Sequence, residues 1–407
     1  APPIMSNEPE AATLKTADEE QQQQSIDVVS TPLLADAPPF CTSKHIQYVS
    51  NLAATLEGTF EGALTNHLRL SGVYWSVACM FVLCGGADED VITKVDEQMG
   101  LLPKKDDNSE SIIEWVATCF DETTGGYGGD TGQDAHVLYT LSALQILAMA
   151  DCMDTELSAE RKNKMVSFIA SLQQPDGSFV GDAGQGEVDT RFSYCALSAL
   201  SLLGKLDAID LKTAVSYIEA CYNPLDGGYG SCIGAESHAG QVFCCIGAFS
   251  IAQALPKETD KLFWWLSERQ CDSGGLNGRS EKQADVCYSW WILSAMSILG
   301  MVHYIDEIKL GQFILKAQDP ADGGIADRPE DMADVFHTFF GVAGLSLLGY
   351  LKDDGKGGDS SSTHTFGVID PVYALPVSTV QRMGLKAQVM VSKGREIDTR
   401  LKQYAIV

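Results

Sequence analysis

Long apolar runs alternate along this chain with stretches that turn hydrophobic every three or four residues. The apolar runs lie at His67–Gly85, Tyr139–Leu147, Asp189–Gly204, Asp285–Gly300 and Asp334–Gly349. Amphipathic stretches precede or separate them at Ser158–Gln174, Leu211–Tyr222, Glu258–Gln270 and Ile305–Gln318. A helix that is apolar on every side must be buried, and one with a single apolar stripe covers something. The pattern therefore predicts inner helices wrapped by outer ones.

A glycine-centred turn joins each outer helix to the next inner one. Its first glycines are Gly125, Gly177, Gly227, Gly274 and Gly323, spaced by 52, 50, 47 and 49 residues. The inner runs ending in Gly204, Gly300 and Gly349 carry the residue that favours a helix C′ position. Such a hairpin, repeated about six times, cannot bury its apolar helix alone. Stacking hides that helix, and closing the stack removes both exposed ends. The expected fold is all-α, an α/α toroid or six-hairpin α-α barrel of about twelve helices, with the glycine turns on one rim. A linear solenoid is the competing arrangement. Loops are expected at Leu101–Asn108 and Asp353–Thr363.

Two uncharged runs, Leu70–Ala87 and Val286–Ile305, are long enough to suggest membrane spans. Both are rich in Ser, Gly and Cys, and similar runs recur along the chain, so inner helices and no membrane span are expected. Charge sharpens the picture. The 407 residues carry 28 Lys and Arg against 55 Asp and Glu, a net charge of −27. That argues against nucleic acid and anionic membrane surfaces as partners. Residues 1–40 hold seven carboxylates against Lys15 alone. They are expected to form a disordered acidic extension, followed by the helical-repeat domain over 41–383 and a solvated tail over 384–407. Twelve cysteines without a CxxC pair, and no secretory signal, point to reduced thiols in the cytosol.

Polar residues at the start of the inner helices are candidates for chemistry, because those ends share the rim. Asp285 and Cys287 open one such helix, and His337 lies three residues after Asp334 in the next. Asp, Cys and His make a three-ligand zinc site with an open fourth position. Spacing alone leaves other roles open: capping acids, a core thiol and a core histidine. His238, Arg279, Lys282 and Tyr288 can cluster beside that point, a cationic mouth suited to a phosphate or diphosphate. Surface ion pairing is the alternative. Aromatic residues of the inner runs, among them Tyr74, Trp75, Tyr194, Phe243, Trp290, Trp291 and Phe340, would line an apolar well beneath it.

His67-Leu-Arg-Leu-Ser-Gly-Val-Tyr-Trp75, Asp189-Thr-Arg-Phe-Ser-Tyr194, Glu236-Ser-His-Ala-Gly-Gln241, Ser273-Gly-Gly-Leu-Asn-Gly-Arg279, Asp285-Val-Cys-Tyr-Ser-Trp-Trp291 and Asp327-Arg-Pro329 through His337 carry a resemblance. From about Lys44 to Met383 the chain resembles the β subunits of protein prenyltransferases, most of all the type II enzymes that geranylgeranylate Rab GTPases. The resemblance implies Zn2+ on Asp285, Cys287 and His337, and the isoprenoid diphosphate on His238, Arg279, Lys282 and Tyr288. It implies a lipid pocket of Ser71, Trp75, Leu141, Arg191, Tyr194 and Trp291. Asp327 matches a position linked to Mg2+ in farnesyltransferases. Implied partners are a prenyltransferase α subunit, geranylgeranyl diphosphate, and a Rab GTPase presented by Rab escort protein. Type I or farnesyl specificity, an α/α-barrel glycosidase using Glu187 and Asp189, a terpene cyclase and a scaffold with structural zinc are the alternatives.

Overall fold

The computed structural model describes residues 37–56, 66–85, 90–104, 109–184, 186–351, 366–390 and 403–406. The acidic extension, apart from 37–40, and the loop expected at 353–363 lie outside these residues. So do 105–108 of the loop expected at 101–108. In chain order the helices are α1 (Thr42–Leu56), α2 (Arg69–Cys84), α3 (Val91–Met99), α4 (Ile112–Thr118) and α5 (Val137–Met149). They continue as α6 (Met153–Glu156), α7 (Ala159–Ser171), α8 (Thr190–Leu202), α9 (Leu211–Ala220) and α10 (Ala239–Ile251). The last are α11 (Asp260–Ser267), α12 (Cys287–Ile298), α13 (Glu307–Lys316), α14 (Val335–Leu347) and α15 (Val377–Met383). A short parallel pair, β1 (Gln388–Val389) and β2 (Ala405–Ile406), completes the described chain.

Helices α2, α5, α8, α10, α12 and α14 form a closed inner ring. Each packs against the next, and α14 returns to pack against α2. The fold is the α/α toroid expected from the repeats, not a solenoid. No helix among the described residues is long and apolar enough to cross a membrane.

The glycine turns explain the closure. Gly125, Gly177, Gly227, Gly274 and Gly323 all have φ between +82° and +92°, a region costly for any residue with a Cβ. Each also lies against the next repeat's outer helix. A Cβ on Gly177 would meet the Thr213 carbonyl oxygen at 2.1 Å, and one on Gly274 the Lys309 oxygen at 2.5 Å. At Gly323 the neighbour is the Lys44 oxygen of α1, at 2.2 Å. The last turn thus docks on the first helix by the contact that joins every other pair. Gly204, Gly300 and Gly349 have φ of 65°, 74° and 72° and end their helices as expected.

A second recurring bond laces the rim. Near the start of five inner helices a backbone N–H donates to a carbonyl beyond the following glycine turn. The pairs are Leu70 to Gly129 (2.9 Å), Val137 to Gly181 (2.9 Å), Thr190 to Ser231 (2.9 Å), Ala239 to Gly278 (2.8 Å) and Val286 to Asp327 (2.7 Å). These N–H groups have no partner within their own helix, so each repeat positions the loop of the next.

The ring does not enclose an open well from end to end. Residues 369–375 lie within it and are held by four inner helices. Tyr74 and Tyr194 hydroxyls donate to the Ala374 and Val372 carbonyls, each at 2.7 Å. Gln145 donates to Tyr373 O at 3.0 Å, and Ser294 to Pro371 O. The buried Asp370 carboxylate accepts from the Val372 and Tyr373 N–H groups at 2.9 Å and from the Tyr404 hydroxyl. The expected solvated tail differs accordingly. Leu385, Ala387, Val389 and Tyr404 are buried, and the returning chain supplies the donors, Gln403 and Tyr404, to the second oxygen of Asp370 inside the barrel. Phe40, from the expected extension, also packs on the body, against His45 and Phe366.

Candidate metal centre

The inner helices begin with side chains that cap them. His136, Asp189, His238 and Asp285 each accept a backbone N–H two residues on, and Asp334 accepts that of His337. Such caps satisfy donors that a helix start leaves orphaned. The capping role read for Asp285 and Asp334 is therefore real, and it is also what aims them.

Asp285, Cys287 and His337 converge. Their ligand atoms all lie within 4.8 Å of one another, because α12 and α14, from successive repeats, pack side by side. His337 Nε2 is 3.3 Å from Asp285 Oδ1. On its other side Nδ1 is 2.6 Å from Asp334 Oδ2, the carboxylate–imidazole arrangement that orients a metal-binding histidine. The capping acid Asp334 thus acquires a second task that spacing did not disclose. Burial draws the His337 pKa down, but the two carboxylates outweigh it and bring it to about 9. Burial, then the neighbouring Asp285, holds the Cys287 thiol well above its ordinary range. Burial raises the Asp285 pKa, yet hydrogen bonds from His337 and Cys287 leave it low. One carboxylate, one sulfur and one imidazole nitrogen make a donor set that suits zinc and leaves a position open. Among the described residues this is the one cluster of three such groups.

Beside the cluster opens a cavity of about 650 Å³ lined by His238, Arg279, Lys282, Tyr288, Asp285 and Arg328, among others. All four expected cationic-mouth residues are there. Burial, then Arg279, lowers the His238 pKa, so its ring is neutral. Its Nδ1 accepts the Gly240 N–H at 3.2 Å, which leaves the proton on Nε2, 3.2 Å from the Tyr288 hydroxyl. Burial lifts the Tyr288 pKa to about 12. Both groups are thus donors at neutral pH. Arg279 pairs with Glu236.

The expected lipid-pocket residues lie along the inner ring. Trp75 and Trp291 both pack with tilted rings beside Phe340, and Trp291 also touches Phe243, which packs on Tyr194. Ser71 and Leu141 are buried, with Ser71 Oγ 3.3 Å from Ser142 Oγ on the adjacent helix. Arg191 stays at the rim, bound to Asp189 at 2.9 Å. Tyr74, Phe243, Trp290 and Phe340 are core residues. Asp327 binds Arg328 through Nε at 2.9 Å and through Nη2.

Residues 40–375 match the family model of the prenyltransferase alpha-alpha toroid domain. The chain is 43% identical over 356 residues to the geranylgeranyl transferase type-2 subunit beta of Candida albicans, covering 84% of this chain and 95% of that one. It is 47% identical over 343 residues to the type-2 subunit beta 1 of Arabidopsis thaliana, covering 84% and 94%. With the Saccharomyces cerevisiae type-2 subunit beta it shares 45% over 284 residues, covering 69% and 81%. A solved structure of Candida albicans protein geranylgeranyltransferase-I complexed with GGPP has the same fold. Its TM-score is 0.64 at 21% identity, over 85% of this chain and 98% of that one. A closed ring of six glycine-hinged hairpins and relatives aligned over most of its length place this chain in the prenyltransferase alpha-alpha toroid family, among the β subunits of protein prenyltransferases.

Proposed function

We propose that the chain is the catalytic β subunit of a zinc-dependent type II protein geranylgeranyltransferase. It moves geranylgeranyl from its diphosphate to C-terminal cysteine thiols of Rab GTPases. It works in the cytosol as a heterodimer with an α subunit, on Rab presented by Rab escort protein. The observation that carries this reading is the meeting of Asp285, Cys287 and His337 beside a cavity lined by His238, Arg279, Lys282 and Tyr288. Identity supports type II over its siblings. The type-2 subunits stand at 43–47%, against 32% for the Arabidopsis type-1 subunit and 28% for the Schizosaccharomyces pombe farnesyltransferase subunit. All twelve cysteines lie among the described residues as free thiols, which suits a reducing compartment.

In this reading Asp285, Cys287 and His337 hold the zinc ion, with Asp334 orienting the imidazole. Bound there, zinc supplies a Lewis acid that lowers the pKa of an acceptor thiol from about 8.5. As the bond from sulfur to carbon 1 of the isoprenoid forms, the bond from that carbon to the diphosphate oxygen breaks. The chain's task at that moment is to hold the departing charge. Arg279 and Lys282 supply positive charge, and His238 Nε2–H and the Tyr288 hydroxyl, 3.2 Å apart in the cavity wall, supply neutral donors. Ser71, Trp75, Leu141, Arg191, Tyr194 and Trp291 receive the lipid. Asp327, whose Oδ2 binds Arg328, would be the residue to hold Mg2+, and no step is assigned to that ion.

The test is to purify the chain with its α subunit, measure bound metal, and follow transfer from labelled geranylgeranyl diphosphate to an escorted Rab. Stoichiometric zinc with transfer supports the reading. Full transfer by a Cys287→Ser enzyme with no bound metal overturns it.

A further inference from the structure

The cavity beside the metal cluster has a cation to which its sequence motif assigned no role. Arg328 lines it together with Arg279, Lys282 and His238. These residues come from three successive repeats: His238 caps α10, Arg279 and Lys282 precede α12, and Arg328 precedes α14. The position of Arg328 is fixed from behind. The carbonyl of Asp327 accepts the Val286 N–H at 2.7 Å, which ties this loop to the helix start bearing Asp285 and Cys287. The Asp327 carboxylate grips the guanidinium through Nε and Nη2, and Asp331 lies 4.0 Å from Nε. The remaining Nη1 donates only to a neutral amide, the Gln283 side chain. An anion in the cavity would be a stronger acceptor than that amide.

We propose that Arg328 is a further binding residue for the diphosphate, closing the anion site from the turn before α14 with Asp327 as its positioning residue. This rests on the reading of the cavity as the diphosphate site. Asp327 then serves the reaction through a fixed guanidinium. A guanidinium presents its donors in a rigid fork that matches phosphate oxygens, so lysine should substitute only in part.

The experiment compares Arg328→Gln, Arg328→Lys and Arg279→Gln in the enzyme purified with its α subunit. The probes are inorganic pyrophosphate, as inhibitor competing with geranylgeranyl diphosphate, and the escorted Rab acceptor. Arg328→Gln is expected to weaken pyrophosphate inhibition and geranylgeranyl diphosphate binding at least tenfold while leaving the acceptor KM unchanged. Arg328→Lys should recover part of the loss. Unchanged pyrophosphate inhibition in Arg328→Gln, alongside a tenfold loss in Arg279→Gln, makes Arg328 a surface ion pair and overturns the proposal. A rise confined to the acceptor KM overturns it too, assigning Arg328 to a carboxylate of the acceptor. If Arg279→Gln is equally without effect, the diphosphate reading of the cavity falls, and Arg328 with it.

Discussion

Asp334 Oδ2 lies 2.6 Å from His337 Nδ1, while the other oxygen of the same carboxylate accepts the His337 backbone N–H at 2.9 Å. One side chain both starts α14 and turns its imidazole toward Asp285. Outer partners of this kind are worth about 10–100-fold in metal affinity. Asp334→Ala should lose that much, whereas Asp334→Asn, whose single oxygen can serve the cap or Nδ1–H but not both, should lose less. Zinc competition against a chelator checks the order; equal affinities in all three proteins would separate Asp334 from the metal.

Metal uptake should release protons. Without metal, His337 titrates at about 9 and the Cys287 thiol higher still, so both are protonated at pH 7.5 and both must yield their protons to coordinate. Affinity should climb by up to about 100-fold per pH unit from pH 7 toward 9. Calorimetry in buffers of different ionisation enthalpy should count about two protons released. A count below one contradicts the ligand pair.

Gly323 tests ring closure. Both Gly323 and Gly132 have positive φ, at 82° and 76°. A Cβ on Gly132 meets nothing within 4 Å, while one on Gly323 would strike Lys44 O at 2.2 Å. Gly132→Ala should cost about 1–2 kcal/mol of backbone strain. Gly323→Ala should cost at least about 2 kcal/mol more, since backbone must shift. Thermal melts of the two variants decide.

Asp370 makes stability depend on pH. Burial lifts its carboxyl to about 6 against several hydrogen bonds that favour the ionised form, while the unfolded chain releases the proton near pH 4. The folded state therefore keeps a proton that the unfolded state has lost. Its stabilising share is complete below about pH 4 and is lost as pH rises through 6. Asp370→Asn should accordingly gain on the parent by roughly 3 kcal/mol between pH 4 and pH 7. Parallel stability curves for the two proteins would show that Asp370 keeps its ordinary pKa.

Chain-length choice should respond at Ser71. Its hydroxyl sits 3.3 Å from that of Ser142 between two inner helices. Ser71→Trp fills that position and should favour a fifteen-carbon over a twenty-carbon donor by at least about tenfold in relative kcat/KM. An unchanged ratio removes Ser71 from the lipid pocket.

The hairpins were readable because their signals are local and repeated. A glycine that must adopt positive φ recurs every fifty residues or so, and each is followed by a run too apolar to be exposed. The ring could be inferred as the arrangement that hides both ends, with a linear solenoid left as its rival. The metal cluster was half readable: residue types and rim position pointed to it, but capping explained the same acids equally well. Arg328 was opaque because its place depends on a backbone bond from Val286 in another repeat. The loop around Asp370 and the packed segment after Met383 belong to no repeat, so periodicity had nothing to say about them.

Every inner helix after the first opens on Asp or His, whatever else that residue does. Folding demands only an acceptor there, and several side chains meet the demand. Replacing Asp285 by Asn, for example, leaves a competent start to its helix while abolishing an anionic ligand. Chemistry at this rim can therefore be rewritten, or erased, with the barrel left standing, and an inert but well-folded paralogue lies only a few substitutions away.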